Sequence, residues 1–292
     1  MRPLDEAWVG LAARLEKAPA VVVGSDFDGT LVPLQDRPEA VALPASTRTV
    51  LKRLASARGV TLAIVSGRAL EDVRKRTGVR GAILIGNHGY EIGLPGKPVR
   101  RRYGASDRKA VLRAAREAEA VVRDIPGVFF EDKGPIVTLH YRQAPPEKIM
   151  RIDAAAARVA GRFAGAVRVT EGKCVLEFRP PHAVDKGQAL REALGAAGIP
   201  DDALLFYFGD DETDEDVFRA LPEEAVTVHV GDVIDATAAR YRASDPGDVV
   251  VALARIARLA GRRPAGRRPA FRVPAGAAGG GARRRPGPGG GT

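Results

Sequence analysis

The chain has 292 residues, a formal net charge of +10, 45% hydrophobic side chains and one cysteine. That length leaves room for two compact units, and the lone Cys174 excludes an intrachain disulfide and reads as a small core residue. No window approaches the ~20 apolar residues of a membrane span, and Asp5 and Glu6 stand where a signal peptide would be basic, so a soluble, cytoplasmic protein is expected. The positive charge is local: from Gly261 onward there are eight arginines and no acid, and subtracting them from +10 leaves +2 for the first 260 residues.

Residues 4–16 place Trp8, Leu11 and Leu15 at helical spacing and predict an amphipathic lead-in helix. Val21-Val22-Val23 then runs into Gly24-Ser25-Asp26-Phe27-Asp28-Gly29-Thr30-Leu31, a strand buried on both faces that ends in two carboxylates. A helix from Pro44 and Ser46, with Val50, Leu51 and Leu54 as its buried stripe, leads to a second apolar strand at 60–65 that ends in Ser66-Gly67-Arg68. A helix at 69–77 precedes a third strand at 82–85, which ends in Asn87-His88-Gly89-Tyr90-Glu91. Apolar strands that alternate with helices predict a doubly wound, Rossmann-like α/β parallel sheet.

Prolines, glycines and arginines break this rhythm at 95–104, where a domain boundary is expected. A helix at 106–124 is followed by runs at 129–133, 136–142 and 173–179 that alternate with period two, and a helix at 146–163 is expected to cover their apolar side. These predict an inserted α+β unit. Pro180-Pro181 marks the way out. A helix opening at Asp185-Lys186-Gly187, a strand at 203–208 ending in Gly209-Asp210-Asp211-Glu212-Thr213-Asp214, a strand at 225–230 and a helix at 249–259 restore the first pattern. The expected units are therefore 1–19 (lead-in helix), 20–98 with 181–260 (core), 99–180 (insert) and 261–292 (a disordered Arg/Gly/Pro-rich tail).

Open α/β sheets bind ligands at the carboxyl ends of their strands. Two acidic clusters there, Asp26 with Asp28 and Asp210 with Asp211 and Asp214, form an oxygen-rich site suited to Mg²⁺. Ser66 adds a hydroxyl and Lys186 a positive charge for a phosphoryl group. The set reads as phosphoryl transfer.

In order and placement, these motifs resemble those of haloacid-dehalogenase-type phosphatases. Asn87-His88-Gly89-Tyr90-Glu91, His140-Tyr141-Arg142, Gly172-Lys173 with Glu177 and Arg179-Pro180, and Asp210-Asp211-x-Thr213-Asp214-Glu215 further resemble the trehalose-6-phosphate phosphatase family. The resemblance implies that Asp26 is a nucleophile forming an aspartyl-phosphate and that Asp28, beside anionic neighbours, is the general acid and base. It also implies Mg²⁺ held by Asp26, the Asp28 carbonyl and Asp210, with Asp211 and Asp214 ordering the metal's waters. Ser66, Lys186 and the amides near Gly29 and Thr30 would hold phosphate oxygens. The insert becomes a cap over the sugar, and its polar face offers Glu131, Lys133, His140, Arg142, Lys173 and Glu177 as hydroxyl contacts, the competing reading being a solvated sheet face. Asn87 and His88 are expected to line the cleft or to be held within a strand-end loop. For Arg68 the readings are a structural ion pair and the edge of the site.

The expected activity is Mg²⁺-dependent conversion of trehalose 6-phosphate, a small-molecule sugar phosphate, to trehalose and phosphate by a monomer. The alternative substrates are sucrose phosphate and mannosyl phosphoglycerate. A reading from a different class is loose nucleic-acid binding through the tail, set against a merely solvated tail.

Overall fold

The computed structural model describes residues 1–35, 38–172, 174–232 and 236–262. The tail beyond residue 262, on which the nucleic-acid reading falls, and Lys173 lie outside the described residues.

Strand β1 (Arg2–Pro3) leads into helix α1 (Leu4–Lys17), which buries Leu4, Ala7, Leu11 and Leu15 and leaves Trp8 packed at the rim of the core. Then follow β2 (Val21–Ser25), α2 (Ala45–Ser56), β3 (Val60–Val65), α3 (Leu70–Thr77), β4 (Ile83–Gly86), β5 (Glu91–Gly93) and β6 (Arg100–Arg101). A second group comprises α4 (Ala105–Val122), β7 (Phe129–Asp132), β8 (Val137–His140), α5 (Ile149–Arg162), β9 (Arg168–Gly172) and β10 (Val175–Arg179). The chain then supplies α6 (Lys186–Ala196), β11 (Leu204–Gly209), α7 (Glu212–Ala220), β12 (Val226–Val230), β13 (Tyr241–Ala243) and α8 (Pro246–Ala260).

The first and third groups form one nine-stranded sheet ordered β1-β13-β12-β11-β2-β3-β4-β5-β6. It is parallel from β1 to β4 and antiparallel through β5 and β6. Alternation along the continuous apolar strands divides the core in two: Val21 and Val23 enter one cluster, with residues of α1, α2 and α8, while Val22 enters the other, with α6 and α7. This is the doubly wound α/β core. Four of its strands, β1, β5, β6 and β13, are two or three residues long and carry no periodic signal a sequence reading could use. β6 keeps the chain in this sheet through Arg101.

The inserted group forms a separate antiparallel sheet ordered β7-β8-β10-β9. Val137, Leu139, Leu176 and Phe178 pack with Val111, Ala115 and Ala118 of α4 and Ile152, Ala156 and Val159 of α5. Both helices therefore cover the apolar face, and Glu131, Thr138, His140 and Glu177 stand on the opposite one.

Cys174 is not a core residue. It is exposed, with φ +61°, in the turn between β9 and β10. Gly172 pairs with Val175, so the chain reverses before β10 begins, and the period-two run expected at 173–179 starts only at Val175.

Candidate active site

The deepest polar cluster forms where β2 and β11 end side by side, Phe208 pairing with Ser25. Lys186, 1% exposed at the start of α6, donates from Nζ to Asp26 Oδ1 and to Asp214 Oδ1, both at 2.9 Å, and lies 3.5 Å from Asp211. Burial alone would lower this lysine; Asp211, Asp214 and Asp26 hold it well above its usual value. Asp214 uses both oxygens internally: Oδ1 also accepts from Tyr207 at 2.8 Å, and Oδ2 accepts from the backbone N–H groups of Asp210 and Asp211 at 3.1 and 3.3 Å. Burial pushes Asp214 up to about 7 against the pull of Lys186. Asp211 caps α7, accepting from the Thr213 and Asp214 N–H groups at 3.0 and 3.2 Å; Lys186 and side-chain hydrogen bonding with Asp214 and the Thr213 hydroxyl keep it below the usual range despite burial. The acidic motif therefore begins a helix and orders its own carboxylates in the same few residues.

Side-chain oxygens of Asp26, Asp210 and Asp214 lie within 4.8 Å of one another. Burial raises Asp26 well above the usual carboxylate range, with Lys186 pulling the other way. One ammonium thus serves a group of buried and half-buried acids. A hard divalent cation fits this oxygen set and would keep Asp26 ionised. Thr30 Oγ1 donates to Asp210 Oδ1 at 2.9 Å, which fixes the second acid relative to the first strand. Gly29 makes that approach possible: it has φ +78°, and a Cβ there would sit 2.1 Å from Asp210 Oδ2.

Asp28 has a cationic partner where anions were expected. Arg68 donates from Nε to Oδ2 at 2.6 Å and from Nη2 to Oδ1 at 2.7 Å, and its remaining donor reaches Asp72 at 3.0 Å. Asp72 in turn accepts from Arg76 at 2.7 Å. Arg68 is therefore both an ion pair and part of the cleft edge. Ser66 is buried, and its hydroxyl accepts the Arg68 N–H at 3.1 Å. Gly67 is bare because the His88 ring lies on it; a Cβ would sit 2.6 Å from Nε2.

Asn87 and His88 both have positive φ, 51° and 55°. Asn87 is fully buried and donates from Nδ2 to Glu91 and to the carbonyl of Lys133, both at 2.9 Å, joining the large sheet to the insert. His88 lines the cleft with Nε2 3.7 Å from Glu177 of β10, and burial keeps it below its usual value. Burial would raise Glu177; His88, Arg179 and Lys133 together hold it well below the usual range. Lys133 stands 3.5 Å from Glu177 and 3.7 Å from Glu131, and Glu131 is 2.9 Å from His140 Nε2.

These groups face one cleft of about 990 Å³ between the strand ends and the polar face of the insert. Asp26, Asp28, Arg68, His88, Glu131, Lys133, His140, Arg142, Glu177, Lys186, Asp210 and Asp211 line it. Gly29, Thr30, Ser66, Asn87 and Asp214 stand behind the lining. Sequence reasoning missed Tyr207 and Asp72, which act through other residues and so left only ordinary core or surface signals; Glu91 and Arg179 stood in the quoted motifs without a role, and Arg179 lines the cleft beside Glu177. It also missed Leu34, Gln35 and Phe129 in the lining.

A cleft with this strand-end chemistry invites comparison with known proteins. The sequence profile described as Trehalose-phosphatase matches residues 25–246. A trehalose-phosphate phosphatase of Mycobacterium marinum is 37% identical over 250 residues, 82% of this chain and 62% of that protein. A Mycobacterium tuberculosis protein described as an uncharacterized glycosyl hydrolase is 38% identical over 251 residues, 82% of this chain and 18% of its own length. The chain thus spans about three fifths of the first relative and under a fifth of the second. The C-terminal domain of Candida albicans trehalose-6-phosphate phosphatase shares the fold, with a TM-score of 0.75 at 23% identity over 88% of this chain and 97% of that one. With the match running from the end of β2 into the start of α8, across both acidic strand ends and the whole insert, the chain belongs to the trehalose-phosphatase family.

Proposed function

We propose that this chain is a Mg²⁺-dependent phosphatase that converts trehalose 6-phosphate to trehalose and phosphate through an aspartyl-phosphate on Asp26. The observation that carries the reading is the cluster of Asp26, Asp210 and Asp214 oxygens within 4.8 Å, set at the cleft opposite the polar sheet face. The family's relatives supply the substrate class.

Asp26 attacks phosphorus with a carboxylate oxygen while Lys186 holds its Oδ1, and the bond from phosphorus to the sugar oxygen breaks. Asp28 gives its proton to that departing oxygen. In the second half-reaction Asp28 takes a proton from water as the water attacks phosphorus and releases Asp26. Lys186 faces the developing phosphoryl charge, and Asp214 and Tyr207 fix its direction. The bound cation, held by Asp26 and Asp210, would offset charge where carboxylate and phosphate meet. Glu131, Lys133, Glu177 and Arg142 present charged groups to sugar hydroxyls, and the insert acts as a cap that keeps water away from the phosphorylated Asp26.

The test is phosphate release from trehalose 6-phosphate, sucrose 6-phosphate and glucose 6-phosphate, with Mg²⁺ and with chelator, for the wild type and Asp26→Asn. Metal-dependent release that is fastest from trehalose 6-phosphate and lost in the variant is expected. Full activity of the variant would overturn the aspartyl-phosphate, and a preference for another sugar phosphate would overturn the substrate.

A further inference from the structure

Phe129 opens β7, one of the two edge strands of the inserted sheet, and is 40% exposed. Its ring lies parallel to that of His140, its direct cross-strand partner, with centroids 4.4 Å apart and planes 6° apart. His140 is itself fixed by Glu131, two residues along β7 from Phe129 on the same face. The cleft wall is therefore a graded surface. From the large sheet outward it runs His88, Glu177, Lys133 and Glu131, each close to the next, and it ends on the stacked pair of His140 and Phe129.

Six large apolar side chains are exposed among the described residues, and two of them, Leu34 and Phe129, line this one cleft. A single exposed apolar residue on a convex surface calls for no explanation. An aromatic ring backed by a second ring and placed at the end of a charged recess does, because its free face offers an apolar plane beside fixed polar groups. A pyranose has the matching shape: hydroxyls around the rim and C–H bonds across the face.

Position decides which sugar ring it meets. The Lys133 carbonyl accepts from Asn87 where the insert meets the large sheet, and Phe129 lies four residues before Lys133, roughly 13 Å away at ~3.3 Å per residue. That separation is on the scale of two linked sugar rings. Phe129 thus closes the end of the wall farthest from His88 and the strand ends, where a ring beyond the phosphorylated one would lie. The cleft volume of about 990 Å³ lies at the upper end of small-molecule pockets and accommodates both rings.

We propose that Phe129, backed by His140, is the platform for the sugar ring remote from the phosphate and selects a disaccharide phosphate over a monosaccharide phosphate. The proposal rests on the sugar-phosphatase reading above. Phe129 takes no part in the chemistry, so its effect belongs in substrate binding and not in turnover.

The experiment compares wild type, Phe129→Ala and Phe129→Trp in steady-state hydrolysis of trehalose 6-phosphate, with orthophosphate and glucose 6-phosphate as competing ligands. Phe129→Ala is expected to raise the KM for trehalose 6-phosphate about tenfold, with kcat within about twofold, the size of one aromatic contact. The inhibition constants of orthophosphate and glucose 6-phosphate should not move, and Phe129→Trp should restore the KM. A merely structural role would lower the melting temperature and shift all three ligands together; that result, or no shift in any of them, overturns the proposal. A wild type that prefers glucose 6-phosphate overturns the platform and leaves the sugar-phosphatase reading standing. A wild type that hydrolyses no sugar phosphate removes that reading as well.

Discussion

Arg68 grips both carboxylate oxygens of Asp28, at 2.6 and 2.7 Å, from the end of the neighbouring strand. The pair is half-shielded, with side-chain exposures of 10% and 29%, so the fork fixes the direction of the carboxylate that, in the proposed mechanism, hands a proton to the leaving oxygen. Arg68 is thus a positioning residue for Asp28. A lysine cannot reproduce two parallel donors. Arg68→Lys is expected to lower kcat roughly 10–100-fold, the usual cost of about 1 Å of misplacement, while KM for the substrate stays within about twofold. Stopped assays of phosphate release separate the two parameters, and an unchanged kcat would refute the positioning role.

The core was legible because parallel strands buried on both faces leave continuous apolar runs, and Val21 to Val23, residues 60–65 and residues 204–208 are such runs. The acids at their ends were legible for the same reason: a carboxylate directly after a buried strand has few structural uses. What could not be read was direction. Nothing in Ser66-Gly67-Arg68 says that the serine hydroxyl turns back to its own loop while the arginine reaches Asp28 across the strand ends. Phe129 was read only as one residue of an alternating strand, since its exposure depends on the strand lying at the sheet's edge. Cys174 misled because the turn residue it occupies breaks the alternation at the one place where the strand had not yet begun.

Gly29 admits a sharp test of the acid cluster. Any Cβ at this position would meet the Asp210 carboxylate at 2.1–2.6 Å, and the backbone there is in the left-handed region. Gly29→Ala should displace Asp210 and raise the Mg²⁺ concentration for half-maximal activity at least about tenfold, as loss of a metal-orienting contact does. The left-handed backbone should cost about 1–2 kcal/mol of stability, enough to lower the melting temperature by a few degrees without changing the far-ultraviolet dichroism. A wild-type Mg²⁺ titration in this variant would rule out Asp210 as a metal ligand.

Lys186 holds two buried carboxylates together, so its removal should be felt in folding as well as in activity. Lys186→Met leaves Asp26 and Asp214 without their shared cation and should destabilise the protein by about 3–5 kcal/mol, the usual cost of orphaning a buried charge. Adding Asp214→Asn to that variant removes one of the stranded charges and should return part of the lost stability, while activity stays absent. Urea midpoints at constant slope measure both steps. If the double variant is no more stable than the single one, the buried triad is not what holds this region.

Glu177 sets the acid limit of the contact between the insert and the strand ends. Its folded pKa lies well below the ordinary 4.5, because His88, Arg179 and Lys133 stabilise the carboxylate against burial. A depressed folded value means that the stabilisation is fully present above the unfolded pKa and is lost as pH falls through the folded one. Glu177→Gln should therefore be less stable than wild type by roughly 3–5 kcal/mol near pH 7, the range for breaking a buried pair. The gap should hold down to about pH 5 and then close as acid protonates the wild-type carboxylate, because a protonated glutamate and a glutamine are both neutral. Thermal melts of both proteins between pH 7 and the acid limit of the fold read this difference directly. A gap that is constant with pH, or that widens below pH 4.5, would show that Glu177 owes its place to shape and hydrogen bonding with Thr138 rather than to the charges around it.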